Sequence, residues 1–279
     1  MPSPLSPATL QAYQELAAWL VARHRSTGLR VLGINGAQGS GKSTLAAFLV
    51  SHLAERYGLK ALAVSLDDFY LSRAQRAALA ATVHPLLITR GVPGTHDVQR
   101  GIACLRALPK LQAGEVCALP TFSKATDEAL PPAHDRLITQ APDVVLFEGW
   151  CVGTPPQDAA ELVTPINALE RDEDPDGIWR QFVNAQLAGP YAEWFAQLDA
   201  LVYLQVPGWA QVQQWRAQQE RETAASNQGH SALLDERLRE RFMQHYQRLT
   251  HHGFEALPAR AVATLRLGLD HAIATSRYR

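Results

Sequence analysis

Cysteine is scarce in this 279-residue chain: Cys104, Cys117 and Cys151 are scattered, odd in number and without CxxC spacing. That excludes a disulfide framework and a thiolate metal cluster, and reads as buried thiols kept reduced. Long apolar runs are missing: none approaches the ~18 residues of a membrane-spanning helix. The start, "MPSPLSPATL", has neither a basic segment nor an apolar core. No signal peptide is read there, so a cytoplasmic location with no membrane partner is expected. An excess of charge is missing too. Lys and Arg number 26 against 27 Asp and Glu, a formal net charge of −1. No cluster of Lys and Arg builds a local patch, so no nucleic-acid partner is expected. Internal repeats and interdomain linkers are also lacking.

What is present is ordinary globular composition, with 47% hydrophobic residues. One domain over 1–279, able to bury a sizeable core, is expected. Residues 6–24 predict an amphipathic helix, with Ser6 as cap and Pro7 in its first turn. The runs "RVLGIN" (30–35), "ALAVSLD" (61–67), "DVVLFEG" (143–149) and "LDALVYLQV" (198–206) predict buried strands, and 43–58 a helix closed by Gly58. Continuous apolar strands alternating with helices predict an α/β fold, a parallel sheet with helices on both faces. Residues 108–142 read as irregular chain. The acidic stretch "ALERDEDPDG" (168–177) reads as a solvated loop. Residues 209–249 read as helical with a break near "ASNQGHS" (225–231), and 254–279 stays ambiguous.

Between the first strand and its helix lies "GAQGSGKST", Gly36, Ala37, Gln38, Gly39, Ser40, Gly41, Lys42, Ser43 and Thr44. It satisfies GxxxxGK(S/T) in the strand–loop–helix context that the motif requires. Glycines let the loop turn its N–H groups inward, and the helix N-terminus adds partial positive charge. The implied ligand is a nucleotide triphosphate, with Lys42 on the β- and γ-phosphates and Ser43 on Mg²⁺. A GTPase would carry NKxD, which is absent.

Phosphoryl transfer needs a carboxylate for the acceptor hydroxyl, an acid near the metal and cations over the transferring group. Asp67 and Asp68, in "SLDDFYLS" with Tyr70, follow the second strand, where open α/β sheets bind ligands. Glu148 ends the third strand in "VVLFEGW", as a metal-holding acid would. "TRGVPGTHD" carries Arg90, His96 and Asp97, although an Asp before a helix is also a cap. Lys124, Asp127 and Arg136 sit in irregular chain that by itself reads as a solvated loop. Arg216 and Arg221, on the 209–222 helix, are candidates to close over the phosphates as a lid.

The order of these motifs, phosphate loop, "SLDDFY", "RGVPGTHD", "LFEGW" and "WRAQQE", resembles the plant-type D-glycerate 3-kinase family over about residues 30–250. That family is grouped with phosphoribulokinase, uridine kinase and bacterial pantothenate kinase. The resemblance implies a P-loop NTPase-type fold with a substrate-side insert near 85–142 and a helical lid near 209–250. It implies ATP and Mg²⁺ as cofactors, and a small-molecule hydroxyl acceptor, D-glycerate being favoured. It makes Asp67 the base and puts Arg90, His96 and Asp97 at the acceptor pocket. The family's "YDKSxxGGRGDR" loop reads here "FSKATDEALPPAHDR". Lys124, Asp135 and Arg136 are kept, but the glycines are not, so the loop takes another path. Val183, Asn184, Leu187, Tyr191 and Trp194 are expected to pack the pocket floor. A pantothenate-like acid or a nucleoside as acceptor, and a non-catalytic ATP-binding regulator, are the competing readings. A monomer or homodimer is expected.

Overall fold

The computed structural model describes residues 5–226 and 236–279. Along the chain run α1 (Pro7–Thr27), β1 (Val31–Gly36), α2 (Lys42–Tyr57), β2 (Ala61–Ser65), α3 (Arg73–Thr82) and α4 (Val98–Ala107). Four short strands follow: β3 (Cys117–Leu119), β4 (Phe122–Ser123), β5 (Glu128–Ala129) and β6 (Arg136–Ile138). The rest is β7 (Val144–Gly149), α5 (Ala168–Glu173), α6 (Ile178–Ala188), α7 (Pro190–Phe195), β8 (Ala200–Gln205), α8 (Trp209–Ser226), α9 (Glu236–Arg260), β9 (Ala263–Leu267) and β10 (Ile273–Tyr278).

The central sheet has the order β10-β9-β8-β1-β7-β2. All its pairings are parallel except β9–β10, which is antiparallel. Every residue of β1 and β7 is buried, which is why these strands read as unbroken apolar runs. Alternation splits them between two cores. Leu32, Ile34, Val144 and Leu146 pack with α1 and α2, through Leu16, Leu20, Leu45 and Leu49. Val145 and Phe147 pack the other way, with Phe69, Val183, Leu187, Tyr191 and Trp194. α1 begins at Ser6, whose Oγ accepts from Thr9 N, and stops at Gly28 in the left-handed conformation.

Two expectations need correction, and one open stretch takes a definite form. The second strand stops at Ser65, and Leu66–Phe69 form one 3-10 turn, so Asp67 and Asp68 sit on a turn rather than on the strand. The ambiguous tail supplies the end of α9 and the two strands at one edge of the sheet. The acidic stretch is not a solvated loop: it holds α5, with Glu170 and Asp174 buried. Glu170 takes Nε and Nη2 of Arg248 at 2.7 and 2.6 Å, and Asp174 takes Arg180 Nη1 at 2.9 Å. Four residues apart, these acids share one face of the turn. Within 108–142 the chain forms two small antiparallel pairings, β3–β6 and β4–β5. The break read at 225–231 falls largely outside the described residues. Among the described residues no helix is long and apolar enough to cross a membrane, and all three cysteines are free and buried.

Trp194 is fully buried, and its ring lies where a Cβ on Gly101 of α4 would stand, 2.0 Å away. Alanine normally suits a helix better than glycine, but here overlap with a trapped ring outweighs that gain. Gly101→Ala is expected to lower stability by about 1–3 kcal/mol, the usual cost of overpacking. Urea unfolding at neutral pH is the check; a variant as stable as the parent would contradict the close approach.

Candidate active site

The phosphate loop leaves β1 at Gly36 and enters α2 at Lys42, with Gly39 and Gly41 in left-handed conformations (φ 76° and 87°). Among the described residues no side chain caps α2, so its first N–H groups remain for a ligand. Gly39 is also a point of close approach. A Cβ there would stand 2.8 Å from Cβ of Trp215 on α8. Ala37 and Ser40 are buried under the loop.

Strand order does the rest of the assembly. β7 lies between β1 and β2, and its Glu148 registers with Ile34 on one side and Ser65 on the other. Ser43 Oγ donates to Glu148 Oε1 at 2.8 Å. The turn after Ser65 carries Asp67 into the same cleft. There Asp67 Oδ1 accepts from Tyr70 Oη at 2.8 Å, and Oδ2 lies 2.6 Å from Lys124 Nζ. Burial alone would raise the Asp67 pKa. The charge and hydrogen bond of Lys124, the Tyr70 hydroxyl and the Lys42 charge together hold it below the usual carboxylate range. Lys42 donates to Ala37 O at 3.1 Å. Burial lowers its pKa, against the opposing pull of Glu148 and Asp67.

The cleft is about 330 Å³ and is lined by Gln38, Gly39, Lys42, Ser43, Asp67, Tyr70, Arg90, Lys124, Glu148 and Arg216 from the expected set. A second groove of about 280 Å³ opens on the other flank of the phosphate loop. It shares Gly39, Lys42 and Ser43 with the cleft and adds Gly41, Thr44 and a Trp215–His271 stack with centroids 3.8 Å apart.

Five expected residues lie elsewhere. His96 is buried beneath Tyr70, with ring centroids 4.5 Å apart, and meets the Tyr191 hydroxyl through Nδ1. Burial pushes its pKa down to about 3, so it is a neutral support. Asp97 caps α4, accepting from Arg100 N at 3.1 Å. Asp68 does not line the cleft, and burial raises its pKa to about 6 against the opposing charge of Arg136. Arg136 donates to Ala63 O of β2 at 2.7 Å. Arg221 is exposed on α8; five residues beyond Arg216, it points roughly 140° around the helix. Of the expected floor, Tyr191 and Trp194 are fully buried core. Asn184 bonds the backbone of Gln157.

Sequence reasoning missed Trp150, Phe242 and Tyr246, which complete the cleft wall. Tyr246 Oη donates to Arg90 O at 2.9 Å, and Trp150 Nε1 donates to Gly91 O at 2.9 Å. The Arg216 guanidinium lies 5.7 Å over the Phe242 ring. The signal was available: Phe242 and Tyr246 are four apart, on one face of α9.

A mostly parallel sheet, a phosphate loop and two acids, Asp67 and Glu148, lining the cleft beside it define a P-loop kinase. No family model matches the chain. An uncharacterized kinase of Schizosaccharomyces pombe, mug58, is 36% identical over 225 residues, covering 77% of this chain and 78% of the relative. A probable ATP-dependent kinase of Saccharomyces cerevisiae, TDA10, is 31% identical over 131 residues, 44% of this chain and 45% of the relative. Among solved structures, D-glycerate 3-kinase of Cryptococcus neoformans superposes with a TM-score of 0.78 at 25% identity, covering 96% of this chain and 99% of that one. The chain belongs to the D-glycerate 3-kinase-related family of P-loop kinases and is a phosphotransferase.

Proposed function

We propose that the protein transfers the γ-phosphoryl group of ATP to a hydroxyl of a small hydroxy acid, with D-glycerate as the acceptor. The observation that carries this is Asp67, a carboxylate kept ionised by Lys124 and Tyr70 in the cleft that Lys42 also lines. Its carboxylate accepts the hydroxyl proton as the oxygen attacks the γ-phosphorus and ADP leaves. Lys42 and Arg216 offset charge on the phosphoryl oxygens. Arg90 and Lys124 suit the acceptor's carboxylate, because guanidinium and ammonium groups pair with it. The D-glycerate assignment draws support from the likeness to D-glycerate 3-kinase of Cryptococcus neoformans.

Ser43 and Glu148 form an all-oxygen donor pair, 2.8 Å apart, beside the phosphate loop. That set fits Mg²⁺, which favours one or two protein oxygens plus substrate phosphates and water. When bound, the ion supplies neutralisation of phosphate charge. The second groove, with its Trp215–His271 stack, suits the nucleotide's base, since an aromatic face is what a purine packs on.

The test offers purified protein Mg-ATP with D-glycerate, pantothenate or nucleosides and follows ADP. Release that depends on D-glycerate is expected. Tight ATP binding without turnover on any acceptor would replace this reading with a non-catalytic regulator.

The environment of Asp67 gives a pH prediction. A base works only when ionised, so kcat/KM is present above its pKa and falls as pH drops through it. With that pKa depressed by Lys124, Tyr70 and Lys42 against the opposing effect of burial, the acid limb should lie below the ordinary carboxylate range. Lys124→Met removes the largest lowering influence and leaves burial, which raises the pKa. The acid limb should then move to higher pH. A profile with an unmoved limb would mean that Asp67 does not titrate as the base.

A further inference from the structure

We propose that Asp127 is a positioning residue, holding Arg90 as the reader of the acceptor's carboxylate. This rests on the hydroxy-acid reading above. Asp127 lies where the loop departs from its family's pattern. Asp127 itself adopts the left-handed conformation, φ 55°, which Asp and Asn tolerate best among residues with a Cβ.

The turn aims its carboxylate at two arginines. Oδ2 lies 2.9 Å from Nη2 of Arg76, and Oδ1 accepts from Nη1 of Arg90. The two arginines differ in kind. Arg76 is buried at 1% exposure. It is fixed by bonds to Leu71 O, Ile88 O and Asp127 O at 3.2, 2.8 and 2.9 Å. Arg90 lines the cleft. Asp127 is therefore a bracket from a rigid buried guanidinium to a working one. Other contacts complete the mounting: the Arg90 guanidinium lies 5.6 Å over the Phe122 ring, and its carbonyl accepts from Tyr246.

Arg90 donates through Nη1 to Asp127. Its fork leaves Nη2 and Nε as further donors for a planar, two-oxygen anion. The long side chain has much rotamer freedom to lose, and an ordered one binds its anion more tightly than a mobile one. Lys124, on the same hairpin, is anchored separately, 2.6 Å from Asp67 Oδ2.

The experiment compares the wild type with Asp127→Asn and Asp127→Gly, which tolerate the left-handed backbone. D-glycerate and glycerol, which has hydroxyls but no carboxylate, are the acceptors. For each variant, KM for D-glycerate should rise about 3–10-fold, the range expected for freeing one side chain. KM for ATP, kcat and the weak turnover of glycerol should stay within about twofold. A general loosening of the loop would move both acceptors alike, and that result overturns the proposal. An unchanged KM for D-glycerate overturns it as well. A wild type that prefers D-glycerate no better than glycerol overturns the hydroxy-acid reading itself, and the proposal with it.

Discussion

Replacing Asp67 with Asn is expected to reduce turnover roughly 10²–10⁴-fold, the range associated with a positioned general base. The substitution is nearly isosteric, and asparagine can still accept from Tyr70. What it loses is the negative charge that Lys124 and Lys42 stabilise and the ability to take a proton. ATP affinity should change little, because the phosphates are expected on the loop from Gly36 to Ser43. The measurements are kcat with D-glycerate and Kd for ATP by equilibrium titration. Turnover within a few-fold of the parent would show that Asp67 is not the base. A large loss of ATP affinity would show instead that the carboxylate acts in nucleotide binding.

The second large effect concerns folding. Glu170→Ala leaves the Arg248 guanidinium buried with only backbone carbonyls, Glu161 O at 2.8 Å and Thr164 O at 2.7 Å. Removing one partner of a buried pair costs about 3–5 kcal/mol, because the remaining charge is uncompensated. That is a large part of the 5–15 kcal/mol by which a domain is normally stable. Exposed Glu173 and Arg241 also form a pair joining α5 to α9. Solvent competes there, so Glu173→Ala should cost less than about 1 kcal/mol. Urea midpoints of the two variants test the contrast. Equal losses would mean that burial is not what distinguishes them. The pair matters to the site because Arg248 lies on α9, the helix that brings Phe242 and Tyr246 to the cleft.

The sequence made legible whatever depends on local spacing. The phosphate loop is one contiguous motif, and β1, β2, β7 and β8 are apolar runs because both faces of the sheet are covered. The outer strands β9 and β10 were not legible. Arg266 interrupts the first, and most of the second faces solvent at the edge of the sheet, so neither has the apolar pattern of a central strand. The acidic stretch was misread because Arg248, its partner, lies 78 residues from Glu170. At the site, Lys42, Ser43, Asp67 and Glu148 were reachable from strand-end logic. Arg216 could be told from Arg221 only by knowing which face of α8 the buried Val212 and Trp215 claim. Asp97 and His96 are polar for structural reasons, one as a helix cap and one as a stacked, neutral support. Asp127 was read only as part of a solvated loop, because its part depends on a left-handed turn and on Arg76 and Arg90, which come together only in the fold.

The central claim is that one carboxylate presents an alcohol to a phosphate chain held on the glycine-rich loop. A crystal structure with a non-hydrolysable ATP analogue and D-glycerate tests it most directly. The expected result has the triphosphate against residues 36–43 and an acceptor hydroxyl within about 2.6–3.2 Å of an Asp67 oxygen. Phosphates bound away from that loop, or a hydroxyl out of reach of Asp67, would contradict it.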